Sequence, residues 1–365
     1  MKNKFIKVVK NKDQKYIQVL GIKVPYNVIV DGEKRTAKLA GILRFTYYRD
    51  DVNNSIYVKC FGKDIILRES NKLKRYKMRH KLDYAACEKI IIKEVSEAVG
   101  YKINLDEPKS YIEKINWLKL NNPDPRITRC CDKFAVKDYV REKLGDGYVV
   151  PTIASWEDPD EIDFDALPDK FVLKVNWASG YLMIVKDKSK LDYKKAREKI
   201  RRWIQPHGNS YNQRFNWGYK NMKPVIYAEE YIEQLDGDLY DYKFLFSKGK
   251  LVYLLIVTDR NTESGITSTF FDANFEKLPI KSGGKDIGNP ELPKNLDKMV
   301  EYGRILADDF PLVRIDFYEI GDEIKLGEMT FYCGGGILPM TPKEWDYKIG
   351  ELIDISGIDK KSEIV

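Results

Sequence analysis

The sequence predicts an α+β protein: a small, basic, strand-rich N-terminal module followed by a larger body of antiparallel strands and packed helices. Three observations carry this expectation. Residues 15–68 read as strands parted by the turn sequences "DGEK" and "DDVNN". From Asp83 the apolar period becomes helical. Between 131 and 355, runs rich in Val, Ile, Phe and Tyr alternate with amphipathic segments, the pattern of α+β domains.

A chain of 365 residues is too long for one small core. Its 43% hydrophobic and 33% charged residues describe a soluble globular protein. No apolar run approaches the roughly 20 residues of a membrane span, and lysines break the N-terminal "MKNKFIKVVKNKDQKY", which therefore lacks a secretory h-region. Five cysteines (Cys60, Cys87, Cys130, Cys131 and Cys333) form no C-x-x-C pair and read as reduced thiols in a cytosolic protein. With only His80 and His207, histidine-based nucleophilic and metal mechanisms are poorly supplied. Any metal is expected to be a hard cation held by carboxylates.

The net charge of +7 conceals an asymmetry. Residues 1–81 hold 21 Lys+Arg against 7 Asp+Glu, a balance of +14, and the remainder holds 42 against 49. The basic part ends in "NKLKRYKMRHK" (71–81). Such a face attracts polyanions, whether nucleic acid, anionic lipid or acidic polysaccharide. A solvated face without a dedicated partner is the alternative.

Taken in order, "KYIQVLGIKVPYNVIV", "AKLAGILRFTYY" and "SIYVKCFGKDIIL" form the β-module. "DYAACEKIIIKEVSEAVG" offers an Asp83 cap, an apolar stripe and a closing Gly100, so it is a helix. "SYIEKINWLKL" (110–120) is a second helix and "DKFAVKDYVREKLG" (132–145) a third, stopped by glycine. "KFVLKVNWASGYLMIV" (170–185) reads as strand, Ser-Gly turn and strand, and "LDYKKAREKIRRWIQ" as an amphipathic helix. "PVIYAEEYI", "YDYKFLF" and "KLVYLLIVT" are strands, and "PKNLDKMVEYGRILADDF" is a helix. In "TPKEWDYKIGELIDI", Thr341, Pro342 and Glu344 form a capping box that opens the last helix. The expected divisions are a basic module at 1–81, a helical connector at 82–130, α+β subdomains at 131–233 and 234–356, and a tail at 357–365.

The candidate chemistry begins in "LVRIDFYEIGDEIKLGEMTFY" (312–332), two strand-like runs joined by Gly321-Asp322-Glu323. A three-residue loop places Asp316 opposite Glu328 and Arg314 opposite Thr330 on one face. A two-residue turn would send the carboxylates to opposite faces. Opposed carboxylates repel, so a positive group is expected between them, unless the face is simply solvated. Lys174, on a strand before Ser179 and Gly180, suits nucleotide phosphates, because small residues let backbone N–H groups approach. Lysines also alternate outward on ordinary half-buried strands. Lys133, at the start of helix 132–144, gains from the positive helix end. Glu229-Glu230-Tyr231 closes an apolar strand and suits an adenine amino group, or is merely a charged strand end. Asp241 and Lys243 share a face of the next strand, and Arg260 ends the one after it.

In this order and spacing, "EKINWLKL", "DKFAVKDYVREKLG", "DKFVLKVN", "AEEYI", "DYKFLF", "FFDANFEKLP", "VRIDFY", "GEMTFYCGGG" and "PKEWDYKIGE" resemble the TupA-like ATP-grasp family of cell-surface polysaccharide, capsule and teichuronopeptide gene clusters. The resemblance spans about residues 84–352 and implies a lid (131–233) and a core (234–356) closing on ATP. It implies Mg²⁺ at Asp316 and Glu328, with Thr330 where wider superfamily members carry a metal-binding Asn. Lys133, Lys174, Ser179 and Gly180 would hold phosphates. Glu229, Glu230, Tyr231 and Ile232 would border adenine, Asp241 the ribose with Lys243 beside it, and Arg260 the terminal phosphate. Gly334, Gly335 and Gly336 would line the acceptor pocket. Asn176-Trp177-Ala178-Ser179-Gly180-Tyr181 departs from the family's usual loop, close to N-H-G-S-G-G.

The implied reaction is ATP-dependent ligation of a carboxylate to an amine through an acyl-phosphate. Arg314 would stabilise the oxyanion formed on amine attack. The expected substrates are a small amine and a carboxylate or glycan, for example an amino acid and a uronic acid. An acidic polysaccharide or a membrane face, rather than nucleic acid, is the expected partner of 1–81. The expected location is cytoplasmic, with peripheral attachment to the inner face of the membrane as the alternative to a freely diffusing enzyme. The alternatives are a glycosyltransferase using Asp236-Gly237-Asp238, a phosphotransferase, and a non-catalytic polyanion-binding protein.

Overall fold

The computed structural model describes residues 6–361, apart from 11–14, 20–21, 32–33, 40–42, 51–54, 61–62, 69–70, 178–179, 206–208, 233–239, 259–265, 284–286 and 308–309; for 6–73, 76 and 212 it describes the backbone alone. The chain divides into two compact units, residues 1–81 with 201–207, and residues 82–200 with 208–365.

The first unit is an antiparallel meander. Strands β1 (Ile6–Lys10), β2 (Lys15–Val19), β3 (Ile22–Asp31), β4 (Lys34–Leu39), β5 (Leu43–Asp50), β6 (Ser55–Cys60) and β7 (Lys63–Arg68) pair in sequence order. Helix α1 (Asn71–Arg79) follows. Within the cationic run, Lys74, Arg75, Lys77 and Lys81 are exposed, whereas Arg79 is buried.

The second unit opens with helices. In α2 (Tyr84–Val99) the Asp83 side chain accepts from the Ala86 N–H, and Gly100 closes the helix at φ 78°. Helix α3 (Tyr111–Asn121) carries a full capping box between Ser110 and Glu113 and is buried along almost its whole length. A helix not anticipated from the sequence, α4 (Pro125–Cys131), starts at Asp124 with proline in its first turn. Helix α5 runs over Val136–Leu144, four residues later than the sequence implied.

A four-stranded antiparallel sheet follows, from β8 (Thr152–Trp156), β9 (Phe171–Val175), β10 (Leu182–Val185) and β11 (Ile226–Glu230), in the order β10-β9-β11-β8. Helices α6 (Tyr193–Trp203) and α7 (Ser210–Arg214) lie between β10 and β11 in the chain. The larger sheet has β12 (Asp241–Ser247), β13 (Lys250–Thr258), β14 (Thr267–Phe271), β15 (Lys277–Leu278), β17 (Val313–Ile320) and β18 (Glu323–Thr330), in the order β15-β14-β13-β12-β17-β18. A short pair joins β16 (Lys281–Ser282) to β19 (Met340–Thr341).

Helix α8 (Leu296–Ala307) packs on the apolar face of the larger sheet. A Cβ at Gly303 would lie 2.6 Å from the Phe246 ring, so glycine sets how closely this helix approaches. Helix α9 (Glu344–Glu351) packs on α3, where Asp346 accepts from the Ile112 N–H at 3.0 Å and the Tyr101 hydroxyl at 2.5 Å. Burial raises the Asp346 carboxyl against these hydrogen bonds. The capping box expected at Thr341 is absent: Thr341 belongs to β19, and the residue before α9 is Lys343, which makes no side-chain cap. Cys87, Cys130, Cys131 and Cys333 are buried and in no disulfide.

Candidate functional site

The hairpin of β17 and β18 brings Arg314 opposite Thr330 and Asp316 opposite Glu328. The pairing is the one expected, but the loop is not. Ile320 pairs with Glu323, so the turn has two residues, Gly321 and Asp322, with Gly321 at φ 62°. The register shifts between Asp316 and Phe317, leaving Gly327 as an extra residue in β18. This bulge supplies the residue that the loop lacks and returns both carboxylates to one face. A Cβ on Gly327 would come 2.8 Å from the Tyr318 ring, so glycine fits the close approach.

Cations fill the space between the carboxylates. The Arg314 guanidinium donates to both Asp316 oxygens at 2.6 and 2.7 Å, to Glu328 Oε1 at 3.3 Å and to the Thr330 hydroxyl at 3.2 Å. Thr330 Oγ1 donates to Glu328 Oε1 at 2.9 Å. Lys243, opposite Asp316 on the neighbouring strand β12, ion-pairs with Asp316 and lies 3.5 Å from Asp241. Lys133 pairs with Glu328 Oε2 at 2.6 Å. Burial would raise the Glu328 carboxyl, but Lys133, Lys243 and Arg314 outweigh it and hold the group well below the usual carboxylate range. Burial likewise works to lower the Lys133 ammonium, and Glu328 overturns it, so the net shift is upward.

Lys133 does not sit on a helix. It lies in a turn before α5, where Asp132 Oδ1 accepts from Phe134 and Ala135 N–H groups at 2.8 and 3.0 Å. Buried Asn176 ties this turn to the end of β9: it donates to Asp132 Oδ2 at 2.6 Å and to the Lys223 carbonyl at 2.9 Å, and accepts from the Val225 N–H at 2.9 Å. The helix-end contribution expected for Lys133 is therefore replaced by direct pairing with Glu328.

On the four-stranded sheet, Lys174 is opposite Tyr227, and Glu229 lies two residues along the same face of β11. Both oxygens of buried Glu229 are taken by lysines: Oε2 by Lys174 and Oε1 by Lys137 of α5 at 2.5 Å. Lys137 also donates to the Val150 carbonyl at 2.8 Å and the Thr152 hydroxyl at 2.7 Å. Burial lowers the Lys137 ammonium, which Glu229 only partly offsets. Lys137 is a site residue not anticipated from the sequence. Its one signal is its place four residues after Lys133, one helical turn further along.

The other expected residues divide. Glu230, Tyr231 and Ile232 continue past Glu229, with Glu230 exposed and its N–H donating to the Pro151 carbonyl. Gly180 borders the cavity described below and adopts φ 77°. Ser179, Arg260 and the Asp236/Asp238 pair lie outside the described residues. Gly334, Gly335 and Gly336 follow β18 in three consecutive left-handed conformations, φ 57°, 64° and 64°.

The two sheets enclose a cavity of about 440 Å³. Five cations (Lys133, Lys137, Lys174, Lys243 and Arg314) and four carboxylates (Glu229, Asp241, Asp316 and Glu328) line it. A profile for TupA-like ATPgrasp proteins matches residues 113–354. The chain belongs to the TupA-like ATP-grasp family. No curated protein matches it. Among solved structures it aligns with D-alanine–D-alanine ligase from Bacillus anthracis complexed with ATP, at TM-score 0.36 and 16% identity over 56% of this chain and 55% of that one. It aligns with L-amino acid ligase from Bacillus licheniformis at 0.35 and 16%, over 67% and 49% of the two chains, and with D-alanine–D-alanine ligase from Helicobacter pylori at 0.34 and 15%, over 62% and 59%. The chain thus spans about half to three fifths of those structures. With scores below 0.5, the family match is the basis of the assignment.

The cavity cations differ in exposure. Lys174 and Lys133 have side chains 29% and 25% exposed, against 12% for Lys243 and Arg314 and 7% for Lys137. Among the described residues no cluster of three or more His, Cys, Asp or Glu forms a metal cage. A magnesium ion shared with nucleotide phosphates needs only one or two protein carboxylates. Asp316 and Glu328 supply hard oxygen donors on the cavity wall, so the residues fit that ion.

Proposed function

We propose that this ATP-grasp enzyme is an ATP- and Mg²⁺-dependent carboxylate–amine ligase that works through an acyl-phosphate. It would modify a cell-surface polysaccharide precursor, attaching an amino acid to a uronic acid. The observation that carries the reading is the exposure order of the cavity cations. Lys133 and Lys174 are the accessible pair, each parked on a carboxylate that another cation also holds. When phosphates arrive, Lys133 leaves Glu328 with Arg314, and Lys174 leaves Glu229 with Lys137. The exchange therefore frees two phosphate cations without orphaning a buried carboxylate.

Glu229 then acts as the rest for Lys174 and not as the reader of adenine, because both its oxygens face lysines. Glu230, exposed at the strand end and followed by Tyr231 and Ile232, is the better carboxylate for the adenine side. Asp316 and Glu328 would hold Mg²⁺, which supplies neutralisation of the phosphate charge when bound. Arg314, fixed by Asp316, Glu328 and Thr330, presents an immobile guanidinium to the oxyanion of the addition step. Asp241 would take the ribose and Arg260 the terminal phosphate. Gly334–Gly336 would wall the amine acceptor.

Residues 131–233 serve as the lid, 234–356 as the core and 82–130 as the connector. Residues 1–81 would hold the acidic glycan or an anionic membrane face. Among the described residues, no helix is long and apolar enough to cross a membrane. A cytoplasmic enzyme working at the inner membrane face fits this reading.

The test is ADP and phosphate release with paired acids and amines, in wild type and in Asp316→Asn and Arg314→Ala. The reading requires release that depends on both acid and amine, and losses of about 10²–10³ in rate in the variants. Release without an amine would indicate a phosphotransferase instead. Variants as fast as wild type would remove the site assignment.

A further inference from the structure

The two more exposed cavity lysines stand on unlike supports. Lys174 lies on β9, between β10 and β11, and strands on both sides fix its backbone. Lys133 lies in the turn before α5, outside any strand or helix. Asp132 shapes that turn from within, accepting from the Phe134 and Ala135 N–H groups at 2.8 and 3.0 Å. An Asp turn of this kind sets the local bend but not the direction in which the bend is aimed.

Asn176 aims it. This residue follows β9 directly, two positions after Lys174, and is fully buried. Its Nδ2 has two hydrogens and two acceptors, Asp132 Oδ2 at 2.6 Å and the Lys223 carbonyl at 2.9 Å, while its Oδ1 accepts from the Val225 N–H at 2.9 Å. Its backbone joins the same segments. The Asn176 carbonyl accepts from the Lys133 N–H at 3.1 Å, and the Asn176 N–H donates to the Val225 carbonyl at 3.2 Å. One side chain thus ties the Lys133 turn, the end of β9 and the run into β11 together. The Phe134 ring also meets the Tyr227 ring, at 5.5 Å between centroids, an apolar contact that adds hold without direction. Aspartate would have the shape of Asn176 without its donors, and leucine the shape without donors or acceptor.

We infer that Asn176 is the positioning residue of the phosphate site: by binding Asp132 it aims the turn that carries Lys133, so that Lys133 and Lys174 meet one polyphosphate at a fixed separation. This rests on the reading given above, which assigns both lysines to phosphates. In that reading the Lys133 ammonium passes from Glu328 to a phosphate, and it arrives in place only if the backbone beneath it stays put. Preorganisation of this kind raises affinity for the phosphates and leaves the contacts of the nucleoside alone. Both lysines line the cavity, whereas Asn176 is not part of its wall and acts only through them.

The experiment measures binding of a nonhydrolysable ATP analogue with Mg²⁺, and of adenosine, to the full chain. The ratio of the two affinities isolates the phosphates. Lys133→Met is expected to lower that ratio about 10- to 100-fold, the value of a charge-assisted hydrogen bond. Asn176→Leu should lower it to a similar degree with adenosine affinity unchanged. Added to Asn176→Leu, Lys133→Met should then cost far less than it costs the wild type, because the lysine is already misaimed. Asp132→Asn breaks the same link by setting an amide donor against Asn176 Nδ2 while keeping the acceptor that shapes the turn. It should reproduce both effects, and it carries the test where Asn176→Leu does not fold. A purely structural asparagine would weaken adenosine and the analogue alike, and Lys133→Met would cost the same factor in every background. Either result overturns the inference, as does an unchanged ratio in Asp132→Asn, while the nucleotide reading stands. If the analogue fails to bind, or if Lys133→Met leaves the wild-type ratio unchanged, the phosphate reading itself falls.

Discussion

Glu229 sits on two lysines, and that arrangement has a measurable signature. Lys137→Met removes one cation from a buried carboxylate and also takes a donor from Val150 O and Thr152 Oγ1. Breaking a buried ion pair outright costs about 3–5 kcal/mol, and a buried acceptor left without a donor costs about 1–3 kcal/mol. Lys174 remains on Glu229 and water reaches part of the site, so the single variant is expected to lose about 3 kcal/mol. Lys174→Met removes a partly exposed partner and leaves Lys137 in place, for about 1 kcal/mol. In the double variant Glu229 has neither lysine, and the loss should exceed the sum by about 0.5–3 kcal/mol, the range seen for directly coupled neighbours. The assay is equilibrium urea unfolding of the nucleotide-free protein followed by tryptophan fluorescence, with all four proteins compared at one slope. Additivity within about 0.5 kcal/mol would show that Glu229 is not shared between the two lysines, and the exchange on which the phosphate site depends would lose its basis.

Other predictions follow from the same geometry. Because the Glu328 carboxyl is held below its ordinary value of about 4.3, its contribution to stability is full above that pH and disappears as the pH falls further. Urea midpoints measured from pH 7 down to pH 3 should therefore fall, and Glu328→Gln should flatten the fall; an unchanged slope refutes the pairing. The Lys133 ammonium is raised, so its contribution is full below about pH 10.4 and lost as the pH climbs through the folded value. Lys133→Met should weaken the decline of the midpoint above pH 10. Gly350→Ala puts a Cβ 2.2 Å from the Lys109 carbonyl oxygen and 2.8 Å from Ser110 and Tyr111 backbone atoms. None of these can swing aside, so α9 must move off α3, at a cost at or above the roughly 3 kcal/mol upper end of ordinary overpacking. A thermal midpoint within 1–2 °C of wild type would contradict that close contact.

The hairpin shows both how far the sequence could be read and where reading stopped. The two-residue period of a strand requires one extra residue to bring Asp316 and Glu328 to one face. That period is the same whether the residue sits in the turn or in a strand. It sits in the strand, at Gly327, and an isolated glycine inside an otherwise regular strand was the available signal. The expectation of a positive group between the carboxylates held, but side chains already provide it, since Lys243 reaches Asp316 across strands 73 residues apart in sequence. Such pairings need the strand order β12-β17-β18, which local patterns do not reveal.

Helix existence was legible where a cap was strong, as at Asp83, which makes the bond expected of it; the capping box of Ser110 and Glu113 at α3 was not anticipated. Legibility failed where a polar residue had competing work. Asp132 caps a turn, which moved the start of α5 to Val136 and took Lys133 off the helix. Thr341 pairs in β19, which removed the expected box at α9. Lys137 was invisible for a simpler reason. A lysine in an amphipathic helix looks like a solvated one until the acceptors around it, from distant segments, are known.

The most direct measurement is a crystal structure of the full chain with Mg²⁺ and a nonhydrolysable ATP analogue. The account predicts an ion about 2.0–2.1 Å from oxygens of both Asp316 and Glu328. Lys133 and Lys174 should have moved onto phosphate oxygens, with Glu229 still held by Lys137. A nucleotide bound away from these lysines, or an ion held without either carboxylate, would contradict it.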